Sequence, residues 1–553
     1  MKRRLAVAAL VVAAVGINVG INVGIDTALH GQERAPQNES IRKEEMRADV
    51  FFLASDDMRG RLVDTPENRL AADFVKARFE RLGLKPAGSG DSFFHPFKMV
   101  TTTLAPGNEM RISADEGTTW HTTASQDFFP QRFSGTGRAR GVLVFAGYGM
   151  SWPEKGHEDF PDDQVKGKVV LVLAHEPGER DPNSPFDGVV TSEHSVAWRK
   201  ALAAQQKGAI GILFVDDVHV HPAAPDFKAT ARGVWPETQV GPRAYTLADW
   251  ADQLHIPAAQ ISRTLAASLL SPTGRSLEDL ARAADRVAGS SPLPVRGTSV
   301  EIVTAVDRYE IAERNVVGLV EGSDPALRNE WVIVSSHLDH DGADRDRIFR
   351  GADDDASGTA GVLEIAEAYS LAAREGRRPR RSVLLAVWNA EERGLLGSWA
   401  YTERPLAPLE RVVAVLNMDM IGRNEEVPPG GGARFLGLAP TSADANTNSV
   451  DLYGYSRVPK LAAEIDAANA AYGLTLRKRY DNNASNLLRR SDNWPFLERG
   501  VPAILFHTGL HPDYHTPNDT PEKVNYDKME KIVRLVHAVS WTLANRTSEA
   551  TFR

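Results

Sequence analysis

Residues 331–361 read WVIVSSHLDHDGADRDRIFRGADDDASGTAG. An apolar run stops abruptly at His337-Leu338-Asp339. A polar loop follows, and the acidic triplet Asp353-Asp354-Asp355 then leads into Ala356-Ser357-Gly358. A nearly continuous apolar run of this length reads as a strand buried on both faces. One imidazole and several carboxylates at its end form a donor set for a hard or borderline metal ion.

Working outward, the same texture recurs at residues 382–388, 412–418 and 503–506, with helical stretches such as 359–374 and 459–472 between them. Alternating buried strands and helices predict an α/β domain with a mostly parallel or mixed sheet. In such sheets functional groups gather outside the carboxyl ends of the strands. His337 and Asp339 follow the first run, Glu391 and Glu392 the second, Asp419 the third, and His515 the fourth after a short loop. An acidic triplet alone is usually a solvated turn, and a Glu-Glu pair usually opens a helix. Their coincidence at successive strand ends is the signal. Two histidines and at least three carboxylates exceed what one catalytic zinc needs. Two ions sharing a carboxylate account for the excess, and a further carboxylate is then wanted to take a proton from water.

These motifs carry a resemblance. His337-Leu338-Asp339, the segment 351–358, Glu391-Glu392 with Gly394-Leu395-Leu396-Gly397-Ser398, Asn417-Met418-Asp419-Met420 and Tyr514-His515-Thr516 occur in the order seen in the M28 family of metallopeptidases. That resemblance implies a three-layer α/β/α zinc-exopeptidase domain with a mixed central sheet. It also implies two Zn2+ ions and a peptide substrate. His337 and Asp419 would bind one ion, Glu392 and His515 the other, and Asp354 would bridge them. Glu391 would be the general base. Asp339 would orient His337 from behind, with Asp355 in support. The Asp354–Asp355 peptide resembles the family's cis peptide. Asp492-Asn493 departs from the family's Ser-Asp-His segment, and Tyr480 is a candidate donor to the oxyanion. His340 and His511 read as pocket or surface residues.

The chain has 553 residues, more than one ordinary domain holds, with 42% hydrophobic residues and a net charge of -9. No basic stripe points to nucleic acid. The absence of cysteine excludes thiolate ligands, disulfides and a cysteine nucleophile. Lys2-Arg3-Arg4 before an apolar run has the layout of a secretory signal, so residues 1–28 are expected to be a signal peptide or an uncleaved anchor. The protein is therefore expected in the periplasm or secreted.

Residues 41–53 and 67–82 read as amphipathic helices, the second with Leu70, Phe74, Ala77 and Phe79 near one face and Gly83 as its stop. Residues 41–127 are expected to be the N-terminal part of the peptidase domain and 295–545 its catalytic body. Residues 128–294 hold short β-like runs separated by Pro- and Gly-rich loops. They read as a smaller β-rich insert, and Lys166-Gly167-Lys168 and Lys207-Gly208-Ala209, each before a strand, resemble the protease-associated (PA) domain. His219 and His221, two apart in one of its loops, read as solvated side chains.

An aminopeptidase is the leading expectation. A carboxypeptidase of the same family, using Arg489 and Arg490 on a substrate carboxylate, is one alternative. A non-catalytic receptor ectodomain on the same fold is the other, although every ligand position and the base are filled.

Overall fold

The computed structural model describes residues 35–546, apart from 115–118, 162 and 240, together with residue 552. The expected signal or anchor at residues 1–28 lies outside the described residues. Among the described residues no helix is long and apolar enough to cross a membrane.

Ten strands form the main sheet: β1 (Lys85–Pro86), β2 (Phe94–Leu104), β3 (Thr246–Leu247), β4 (Val306–Val320), β5 (Trp331–His337), β6 (Ser382–Trp388), β7 (Val412–Met418), β8 (Ser449–Tyr453), β9 (Thr475–Arg477) and β10 (Ala503–His507). Their order is β3-β2-β4-β6-β5-β7-β10-β8-β9, with β1 paired to β4. The centre β6-β5-β7-β10 is parallel, and the flanking pairs β4–β6, β2–β4 and β8–β10 are antiparallel. The fold is thus the mixed α/β sheet that the sequence predicts.

The central strands alternate between two cores. Val332 and Val334 of β5 face the core under helices α1 (Lys43–Leu53), α2 (Pro66–Leu82), α3 (Gly358–Arg374) and α6 (Tyr526–Asn545), whereas Ile333 faces the opposite core with Tyr401 of α4 (Leu396–Glu403) and Phe496 of α5 (Asn493–Glu498). Helices on both faces explain why these strands are apolar without interruption.

Helix α2 begins where Thr65 accepts from the Asn68 backbone N–H and Pro66 takes the first turn; it ends at Gly83 with φ 77°. Its buried stripe is Ala71, Ala72, Val75, Phe79 and Leu82. This corrects the expected face. Leu70 and Ala77 are exposed, because the stripe runs 71, 75, 79, 82 and they lie off it.

A second sheet has the order 119–121, 109–113, 293–304, 137–145, 169–173, 211–215, 258–261, 128–130, with a parallel run from 137–145 through 258–261. Most of its strands come from within residues 128–294, but 109–113 and 119–121 precede that stretch and 293–304 runs beyond it, while β3, from within it, joins the main sheet. Both sheets lie in one compact unit, Ala35–Arg553.

His537 of α6 is fully buried, and its Nδ1 accepts from Asn38 Nδ2 at 3.1 Å. Burial lowers its pKa from 6.5 to about 3. The unfolded chain therefore binds the extra proton first on acidification. This contribution is full above pH 6.5 and falls by about 1.4 kcal/mol per pH unit down to the folded-state value. Urea titrations of wild type and His537→Phe should show a steeper acid loss for wild type. Identical pH slopes would refute the assignment.

Candidate metal centre

The site lies past the carboxyl ends of β5, β6, β7 and β10. Asp354 sits between two imidazoles: one of its oxygens is 3.1 Å from His337 Nε2 and the other 3.1 Å from His515 Nε2. Asp419 Oδ1 is 3.6 Å from His337 Nε2, and Glu392 Oε2 is 3.3 Å from His515 Nε2. Glu391 Oε2 stands 4.0 Å from His337 Nε2. All the sequence-predicted ligands and the base therefore meet in one place.

The supporting residues are fixed by main-chain donors. Asp339 accepts from the N–H groups of Glu391 and Glu392 at 2.9 and 3.2 Å, which locks the turn carrying both glutamates. It also touches His337, but through its carbonyl, 3.1 Å from Nδ1; its carboxylate is 3.9 Å away. Asp355 is saturated by the N–H groups of His337, Gly358 and Met420. Asp353 accepts from Gly422 and Arg423 and faces His511 at 3.3 Å. The peptide between Asp354 and Asp355 is cis.

Gly351 opens this segment at φ 57°, and a Cβ there would lie 2.1 Å from the Asp354 carbonyl oxygen and 2.5 Å from the His340 ring. Only glycine fits. Arg61, fully buried, donates to the carbonyls of Leu53, Leu338, Arg350 and Gly351, so one guanidinium holds both ends of the ligand loop. Burial brings it down to about 10, opposed by Asp354, Asp355, Asp339 and Asp519, and it stays charged at neutral pH.

Of the two places expected for His340, pocket or surface, the structure has it in the site: it is fully buried, with Nδ1 2.7 Å from Glu392 Oε1 and 3.8 Å from Asp354. His511 is equally buried. Tyr480 bonds the Ala439 N–H and does not line the cleft. Tyr514 does line it, beside Asp354, Glu391 and His515, and burial and the surrounding carboxylates hold its phenol protonated. Asn493 is buried and donates to the Leu488 carbonyl, bracing the cleft wall. Arg489 pairs with Glu193 of the second-sheet region at 2.7 Å, and Trp494 Nε1 donates to the same carboxylate. Arg490 lines the cleft, is exposed, and has no ion pair among the described residues.

The electrostatics are dominated by clustered acids. For His515 burial opposes protonation, but Glu392, Asp341 and Asp354 outweigh it and push it up to about 12. Glu391 is held well above the usual carboxylate range, by burial and then by Glu392, Asp419 and Asp492. His337 Nε2, both ring nitrogens of His340 and Glu392 Oε1 are buried and make no hydrogen bond of good geometry among the described residues, although His337 Nε2 stands 3.1 Å from Asp354 and His340 Nδ1 2.7 Å from Glu392 Oε1. Orphaned donor atoms of this kind, on imidazoles and carboxylates, fit divalent zinc. The cleft encloses about 300 Å³.

A mixed α/β sheet with such a donor set at its strand ends defines a metal-centre protein of the α/β class. Residues 315–540 match the family model described as peptidase family M28. The chain is thus similar to this family over residues 315–540. It is 34% identical over 213 residues to a probable glutamate carboxypeptidase, AMP1 of Arabidopsis thaliana, covering 37% of this chain and 26% of that one. It is 39% identical over 121 residues to the aminopeptidase NAALADL1 of Mus musculus, covering 21% and 15%. A probable zinc metalloprotease of Pyrenophora teres f. teres is 26% identical over 272 residues, covering 44% and 54%. The chain thus spans between 15% and 54% of the length of these curated relatives. Among solved structures, an aminopeptidase from Aneurinibacillus sp. strain AM-1 aligns with 93% of this chain and 97% of its own at 18% identity and a TM-score of 0.47.

Proposed function

We propose that this chain is an exported zinc-dependent aminopeptidase. The observation that carries the reading is Asp354, which offers one oxygen to each of two histidines. His337 and Asp419 would hold one ion, Glu392 and His515 a second, and Asp354 both. His340 is close enough to Glu392 to join or to orient the second group. Bound zinc supplies Lewis acidity toward a carbonyl and acidifies water.

The chain's own residues do the rest. Glu391 takes a proton from the attacking water and delivers it to the leaving amine nitrogen as the C–N bond breaks. Tyr514, kept protonated, donates to the carbonyl oxygen as charge builds there. Tyr514→Phe should lower kcat by about 100-fold with zinc content unchanged; wild-type turnover in that variant would remove Tyr514 from the mechanism.

A second reading is a carboxypeptidase. Arg489 is neutralised by Glu193, but Arg490 is exposed at the cleft without an ion partner among the described residues and could meet a substrate carboxylate. The relative named as a probable glutamate carboxypeptidase supports the same idea. An aminoacyl amide with a free amine and an N-blocked dipeptide separate the two readings. Cleavage of the first alone is expected. Cleavage of the blocked substrate alone would replace the aminopeptidase assignment.

A further inference from the structure

The second sheet has strand ends of its own. Strands 169–173 and 211–215 are parallel neighbours in register, Leu173 opposite Val215. Just past the first come His175, with φ 67°, and Glu179; past the second comes His221. Glu179 bridges the two imidazoles, one carboxylate oxygen to each. Its Oε2 is 3.1 Å from His175 Nδ1, and its Oε1 contacts His221 Nε2. The two rings stack with centroids 4.0 Å apart. One donor atom from each residue falls within 4.8 Å of the others.

The loops bearing these side chains are anchored from behind. Lys200, fully buried on the helix at 197–206, donates to the carbonyls of Leu173 and His175. Arg263 donates to the carbonyls of His221, Pro222 and Ala223. The Asp285 carboxylate accepts from the Gly178 N–H at 2.7 Å, which fixes the turn before Glu179. The expectation that His221 is merely solvated is therefore corrected: it is paired. The expectation for His219 differs in outcome, since His219 faces Asp285 at 3.8 Å and stands outside the trio. His221 and its partners are separated by more than forty positions in sequence, so no local spacing pattern could show the cluster.

We propose that His175, Glu179 and His221 bind one divalent transition-metal ion of the zinc class, separately from the Asp354 centre. Two imidazole nitrogens and one carboxylate oxygen suit zinc, cobalt, nickel or copper and not the oxygen-seeking calcium or magnesium. Ligands about 2.0–2.1 Å from a tetrahedral ion lie about 3.3 Å from one another, close to the 3.1 Å between Glu179 and His175. The side chains of His175 and His221 are 41% and 38% exposed, so water completes the coordination and the ion exchanges with solvent. The bound ion ties the loop after 169–173 to the loop after 211–215.

The test uses the full chain, stripped of metal and dialysed to equilibrium against a fixed free zinc concentration at pH 7.5. Zinc per chain is counted by plasma mass spectrometry for wild type, His175→Gln and His221→Gln. Glutamine keeps a hydrogen-bond donor for Glu179 but ligates poorly. Wild type should hold one equivalent more than either variant, with peptidase turnover equal in all three. Equal zinc in wild type and variants would reduce the trio to a hydrogen-bonded cluster and overturn the site. A second measurement needs no variant: diethyl pyrocarbonate labelling of wild type, mapped by peptide mass, with and without zinc. Zinc should protect His175 and His221, and equal labelling at saturating zinc would overturn the proposal.

Discussion

Glu391→Gln is expected to lower kcat about 1,000-fold while leaving zinc content and fold unchanged. The side chain approaches His337 only at 4.0 Å, and no hydrogen bond among the described residues ties its carboxylate down. An amide of the same shape therefore fills the same space. It cannot accept the proton that water must lose. The effect should fall on kcat, because nothing assigns Glu391 to substrate binding in the ground state. Turnover near the wild-type value would sink the base assignment, and loss of zinc would move Glu391 into the ligand set.

Asp354→Ala is expected to be more severe. It removes the one carboxylate shared by both histidines and leaves His337, His340 and His515 with less opposing charge. Zinc content should fall by at least one equivalent, and hydrolysis should drop to background. Treating wild type with a chelator should reproduce the loss, and added zinc should restore wild type but not the variant. Wild-type zinc content together with wild-type turnover in Asp354→Ala would exclude a shared ligand. Asp355→Asn provides the contrast. Asp355 is saturated by the N–H groups of His337, Gly358 and Met420, so its substitution should reduce stability more than it changes the metal count.

The central sheet was legible because its strands are buried on both faces. Such strands read as unbroken apolar runs, and an expected site residue follows each. Asp354 and His515 were legible through motif order. Other residues were hidden for physical reasons. His340 sits beside a ligand histidine, and sequence cannot tell an inward imidazole from an outward one. Arg61 lies in an irregular turn with φ 48°, and its partners are carbonyls, which leave no trace in side-chain patterns. The second sheet recruits strands 109–113 and 293–304 from beyond the stretch whose texture marks it, since antiparallel partners can be far apart along the chain. The stripe of α2 was misjudged because Leu70 and Ala77 are apolar yet lie off the buried row.

Arg61 and β2 carry a practical consequence. A polypeptide trimmed to residues 315–540, the span of the family match, would lose the guanidinium that pins Leu338, Arg350 and Gly351. It would also lose residues 306–314 of β4, strip β1 and β2 from what remains of that strand, and expose the apolar floor beneath α1 and α2. The three carbonyls left around the absent cation would turn to water, and the loop between residues 338 and 351 would lose its fixed geometry. The segment that bears the family likeness is thus not an autonomous folding piece. Shortening this protein from its front edge toward that segment should yield aggregates well before the first ligand is reached.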